Sequence, residues 1–203
     1  MNELERIAVL TRLIDRMREH ESWCGETHIQ KATYILQTLL GVPIDQPFIM
    51  YKYGPFSFDL RDEMVAMRAD GHLGWEIQAP YGPRYVSTPA AARMQARHPQ
   101  TLESYQSRIE FAAEKLGSKG VVELEQLATA LFITVNPEAL AKQHGAMDRP
   151  QTLMALKPHI PYAAARQAID EMDEIIEAAK LQGLAALPAL DAATAPLERE
   201  HAA

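Results

Sequence analysis

The chain has 203 residues, 47% of them hydrophobic and 23% charged, with a formal net charge of −7 and a single cysteine, Cys24. This is the composition of an ordinary globular protein long enough to bury a real core, and it excludes extensive disorder and any intrachain disulfide. No apolar run approaches the roughly 18 residues that a membrane helix needs, and no secretory pattern is present, so a cytoplasmic location without membrane contact is expected.

The acidic balance works against non-specific nucleic-acid binding, which depends on neutralising phosphates. The charge is uneven, however. Residues 1–100 hold 11 Lys and Arg against 12 Asp and Glu, whereas residues 101–203 hold 9 against 15. The first half is therefore left able to present a local basic surface.

Along the chain, Leu4, Ile7, Leu10, Leu13, Ile14 and Met17 recur at helical spacing and predict an amphipathic helix over residues 3–19. A second helix is predicted from an N-cap at Thr27 to Leu40, ended by Gly41 and Pro43. Its apolar residues are Ile29, Ala32, Tyr34, Ile35, Leu36 and Leu39, with Gln30, Lys31 and Gln37 on a solvated polar side. Residues 48–53 read as one strand between Pro47 and a Gly54-Pro55 turn. Ser57 is the expected N-cap of a helix that Gly71 stops at about residue 70.

Residues 73–79 and 84–88 are rich in strand formers and flank Pro80-Tyr81-Gly82-Pro83, which suits a hairpin tip. Helices follow over residues 89–96, 102–116, 121–135, 150–159 and from about residue 161 or 162 to 182. Residues 183–203 are Ala-, Leu- and Pro-rich without periodicity and read as a flexible tail. The expected fold is mainly α with a small antiparallel β-sheet: a winged-helix-like part over residues 1–98, a helical part over residues 99–182 packed on it, then the tail. The strand ahead of the third helix makes it a variant of a winged helix.

Several blocks of residues are specific enough to suggest a family. They are His28-Ile29-Gln30-Lys31-Ala32-Thr33-Tyr34, then Tyr51-Lys52-Tyr53-Gly54-Pro55-Phe56-Ser57-Phe58-Asp59-Leu60, then Gly71-His72-Leu73, and later Leu127-Ala128-Thr129 and Leu156-Lys157-Pro158-His159. Together they resemble the YwgA-like bacterial proteins, similar in outline to the Panacea, or SocA-like, antitoxin-associated domain. Where Panacea domains usually show an apolar residue and Gly-Pro-Val, this chain has Tyr53-Gly54-Pro55-Phe56. The resemblance implies a compact helical domain with a small sheet, found around toxin–antitoxin and phage-defence functions. It implies no catalytic residues and no cofactor.

Two readings of function follow. In the first, the chain is a non-catalytic module that binds a protein partner, plausibly encoded by a neighbouring gene. The Gly54-Pro55 bend aims a Ser57-capped helix N-terminus outward, and Lys31, Tyr34, Tyr51, Tyr53 and Arg61 frame the contact surface. In the second, it is a DNA-binding regulator that uses residues 57–70 as recognition helix and the hairpin as wing, through Lys52, Arg61, Arg68, Tyr81, Arg84 and Tyr85. Either form allows an oligomer.

Bland accounts stand beside both: a turn joining strand to helix, a solvated helix face, strand-forming tyrosines. An enzyme would need a pocket beside Tyr53 or His159, and no familiar nucleophile, phosphate-loop or metalloprotease motif occurs. His20, Cys24 and His28 lie four residues apart, but Gly25 and a helix break spoil a zinc geometry. Asp170, Glu171, Asp173, Glu174 and Glu177 read as the solvated face of the last helix.

Overall fold

The computed structural model describes residues 1–77, 79 and 82–187. Within them the protein is mainly helical, with two separate antiparallel sheets of two strands each. The order is α1 (Glu3–Glu19), α2 (Glu26–Thr38), β1 (Ile49–Tyr51), β2 (Gly54–Phe56), α3 (Phe58–Ala69), β3 (Leu73–Glu76), β4 (Arg84–Ser87), α4 (Pro89–Arg97), α5 (Pro99–Leu116), α6 (Val121–Val135), α7 (Pro137–His144), α8 (Arg149–Leu156) and α9 (Tyr162–Leu181).

The amphipathic spacing of α1 does what it predicts. Ile7, Val9, Leu10, Leu13, Ile14 and Met17 are buried, and an Asn2–Glu5 capping box closes the N-terminus. α5 lies against this face. The two helices come together so closely at their ends that a Cβ on Gly117 would stand 2.6 Å from the His20 carbonyl oxygen, so only glycine fits there.

α6 is buried without a break from Leu127 to Ile133, because α2 packs on one side of it and α8 and α9 on another. One contiguous hydrophobic core runs from α1 and α2 through α5 and α6 to α9. The junction expected at residue 98 is a single residue, His98, shared by the end of α4 and the start of α5.

Four details differ from the sequence reading. Residues 48–53 do not form one strand. Instead β1 turns at Lys52-Tyr53 and pairs with β2, with Met50 opposite Pro55 and Tyr51 opposite Gly54. Gly54-Pro55 is thus part of a hairpin strand, with Gly54 at φ +86, rather than the bend between strand and helix. α8 begins from an Asp148 cap and ends before Lys157, because Pro158 stops it, and α7 was not anticipated. Of the supposed tail, residues 184–187 lie against the core or its edge, and the Ala186 N–H donates to the Leu39 carbonyl at 2.7 Å. Residues 188–203 fall outside the described residues.

The most consequential difference concerns α2. Residues 28–36 are all buried, including Gln30, Lys31 and Thr33. The polar stripe expected to face water faces the extended chain of residues 46–57 instead. Gln30 accepts from the Ser57 N–H at 2.9 Å and donates to the Ser57 carbonyl at 2.8 Å. Gln37, two helical turns on, does the same to Gln46, at 2.9 Å for each bond. Both side-chain amides imitate a neighbouring β-strand, satisfying backbone groups that have no ladder of their own. Gln30→Leu keeps the volume but orphans two buried main-chain groups, and we expect it to destabilise the fold by about 2–4 kcal/mol. Urea unfolding of variant and wild type measures the difference.

Candidate functional site

The hairpin β1–β2 is pegged to the body from beneath by two buried lysines. Lys31, 1% exposed, donates to the Pro55 carbonyl at 2.8 Å and lies 6.0 Å from the Phe56 ring centroid. Lys157, from the loop between α8 and α9, donates to the Lys52 carbonyl at 2.8 Å and also to that of Tyr51. β2 rests directly on α6: a Cβ on Gly54 would stand 3.0 Å from Thr129 Oγ1 and 3.3 Å from the Glu125 carbonyl oxygen. Ser57 is fully buried and caps α3 by accepting from the Leu60 N–H at 3.1 Å.

These positions divide the expected partner-binding set. Lys31, Tyr34, Gly54, Pro55 and Ser57 lie inside the protein: Tyr34 packs edge-on against Phe48 at 5.1 Å, and the capped end of α3 is occupied by the Gln30 brace. None of the five is part of an exposed contact surface. The reason is the pairing just described, which turns the motif inward.

Tyr51, Tyr53 and Arg61 do reach solvent, at 43% and 52% exposure for the two tyrosines. Phe58, 38% exposed, joins them. Tyr51, Phe56 and Phe58 form a ring cluster with centroids 5.1 to 5.8 Å apart, and the Arg61 guanidinium lies 5.1 Å over Phe58. Neither Phe56, which is half-buried, nor Phe58 was among the contact residues expected from the sequence.

Beside this cluster the tip of the hairpin forms one wall of a groove of about 930 Å3. Residues 50–53 line that wall, and Gln143, His144 and residues 155–159 line the other. The Tyr-Lys-Tyr and Lys-Pro-His blocks, singled out separately in the sequence, therefore meet across about a hundred positions. No carboxylate lines the groove. Lys52 at its rim stacks near the Tyr53 ring, 5.4 Å from the centroid, and has no ion-pair partner among the described residues. His144 Nε2 is a buried nitrogen without a hydrogen-bond partner.

A groove does lie beside both Tyr53 and His159, as an enzyme would require. Its lining offers two imidazoles, two phenols and the ammoniums of Lys52 and Lys157, and among the described residues no serine, cysteine or carboxylate.

The residues proposed for nucleic acid are mostly engaged elsewhere. Arg84 pairs with Glu76 and lies 5.0 Å from the Trp23 ring centroid, and Arg68 stacks over Trp75 at 3.3 Å. Tyr85 is 6% exposed, and its N–H donates to the Cys24 carbonyl at 2.9 Å, folding the β3–β4 hairpin against the body. Arg61 is shared with Asp62. Lys52 alone remains open, and Tyr81 lies outside the described residues. The exposed side of α3 carries Asp59 and Asp62 beside Arg61, and Asp70 caps its end, so carboxylates there repel phosphate.

His20 turns to Glu110 at 3.1 Å, Cys24 is buried with its thiol pushed up to about 11, and His28 is buried, its pKa lowered by that burial. Among the described residues no cluster of His, Cys, Asp and Glu is arranged to hold a metal, and no helix is long and apolar enough to cross a membrane. In the grooves along α1, Arg16 is paired with Glu110 and Glu19.

No protein-family model matches the chain, and a search of curated proteins finds none that matches.

Burial pushes the Lys31 amine down from 10.5 to about 8; the field of Glu125 opposes this and that of Lys157 adds to it. The same burial raises the Glu125 carboxyl, against the charges of Lys31, Lys157 and His159. With its folded pKa below its unfolded one, Lys31 takes up fewer protons in the native state between pH 8 and 10.5. Its effect on folding is therefore least favourable below pH 8 and is relieved as pH rises through that interval. Stability measured against pH for wild type minus Lys31→Met is expected to climb across this window by an amount on the order of 3 kcal/mol. Denaturant unfolding at a series of pH values gives the difference curve, and a flat curve would refute the assignment.

Proposed function

We propose that this chain is a protein-interaction module whose partner docks on the β1–β2 hairpin and the groove beside it. One observation carries the reading: aromatic side chains stand in solvent on a backbone that buried side chains hydrogen-bond from beneath. Tyr51, Tyr53 and Phe58 are exposed together, with Arg61 on Phe58. Their main chain is fixed from beneath by Gln30, Lys31 and Lys157.

Aromatic rings and arginine dominate binding hot spots because they bury much surface with few torsions to freeze. A rigid presenting strand lowers the ordering cost further. A contiguous exposed aromatic patch on a folded protein also calls for something to cover it. The resemblance to YwgA-like and Panacea proteins supports a partner from a toxin–antitoxin or phage-defence setting, encoded by an adjacent gene. The engaged arginines and the carboxylates of α3 make DNA the weaker reading of the same surface.

Co-expression with each adjacent gene product, followed by size-exclusion chromatography with light scattering, is expected to give a complex of fixed stoichiometry. The double variant Tyr51→Ala, Tyr53→Ala should weaken it by about tenfold or more while the unfolding midpoint stays near wild type. A complex that ignores this double variant, or no complex with any neighbour, overturns the proposal.

A further inference from the structure

Resting on that reading, we propose that the partner enters the groove as an extended acidic segment, its carboxylates meeting Lys52, His144 and His159 and an apolar side chain settling on Leu156. Charge complementarity is the first ground. Asp and Glu outnumber Lys and Arg by 27 to 20 in this chain, yet none lines this groove. Lys52 stands at its rim without an ion-pair partner among the described residues, and the Lys157 ammonium lies at its base. The nearby Glu125 is answered by both Lys31 and Lys157, so it does not offset the Lys52 charge at the rim. A negative patch on a partner would be steered to this spot on an otherwise acidic surface.

His144 supplies the second ground. Its Nε2 is a buried ring nitrogen with no hydrogen-bond partner in a groove open to an incoming chain. Buried polar atoms are almost always satisfied, and a rotation of the half-buried His144 ring would offer this one to a carboxylate or backbone group of the occupant. The dimensions agree: about 930 Å3 suits a short stretch of chain rather than a whole domain face. Leu156, half-buried, and Pro158, exposed, give the floor an apolar strip on which a side chain can rest.

A nucleic acid would be drawn by the same sign of charge, but polyphosphate binding draws its strength from many neutralised phosphates. Here Lys52 faces outward without an ion-pair partner among the described residues, with the carboxylates of α3 nearby in sequence. A short peptide with two or three carboxylates fits that supply of charge.

Selection of random dodecapeptides displayed on phage against the full chain tests the inference. A synthetic fluorescein-labelled copy of the most enriched sequence is then titrated by anisotropy. Enriched peptides are expected to carry net negative charge. Lys52→Glu should weaken binding about tenfold or more and steepen no salt dependence, while Lys52→Arg keeps binding within about threefold. Neutral or basic enriched sequences, absence of any enrichment, indifference to Lys52→Glu, or equal competition by a single-stranded oligonucleotide would each overturn it. The outcomes separate from those of the parent reading. A co-expressed complex that is lost with the Tyr51, Tyr53 double variant but untouched by Lys52→Glu leaves the module standing and removes the acidic occupant.

Discussion

The arrangement of this protein depends on the polar stripe of α2. Gln30, Lys31 and Gln37 project from a buried helix and hold the main chain of residues 46–57 at Ser57, Pro55 and Gln46. That segment has only a three-residue strand pairing of its own. Without side-chain donors and acceptors supplied by the helix, its carbonyls and N–H groups would be buried unpaired, at a cost of about 1–3 kcal/mol each. Three helical side chains thus do for this hairpin what further strands do in a larger sheet. The position of the exposed tyrosines and the end of α3 follows from that support.

Two of the sequence blocks, Gln30-Lys31 and the run from Tyr51 to Leu60, are the two sides of this one contact. A motif of this kind reads easily as a binding site, since it gathers lysine, tyrosine and a glycine-proline pair. Much of it is instead internal scaffolding: Lys31, Gly54, Pro55 and Ser57 are spent on holding the hairpin. The outward-facing remainder, Tyr51, Lys52, Tyr53 and Phe58, is what a partner can touch.

Helices α1, α3, α6 and α9 were legible because their information is local: apolar spacing, the Ser57 cap, and Gly71 at φ +75 where α3 must stop. The direction in which α2 shows its glutamines was not, because a glutamine bonded to water and one bonded to a neighbouring backbone occupy the same positions in a helical repeat. β2 was hidden by Pro55, which lacks an N–H and reads as a turn, and by a Lys52-Tyr53 turn without the usual Asn or Gly. The groove was unreadable for a different reason. Its two walls lie about a hundred residues apart, and only the packing of α6 against α2 and of α8 against α6 brings them together.

Lys157 gives the pattern a wider consequence. One ammonium from the second half of the chain clasps the tip of a hairpin from the first half, and α6 from that second half is the bed on which the hairpin lies. Cutting the polypeptide after residue 98 would strip away both clasp and bed, leaving the hairpin held by the side chains of α2 alone. The geometry of the exposed tyrosines belongs to neither half alone.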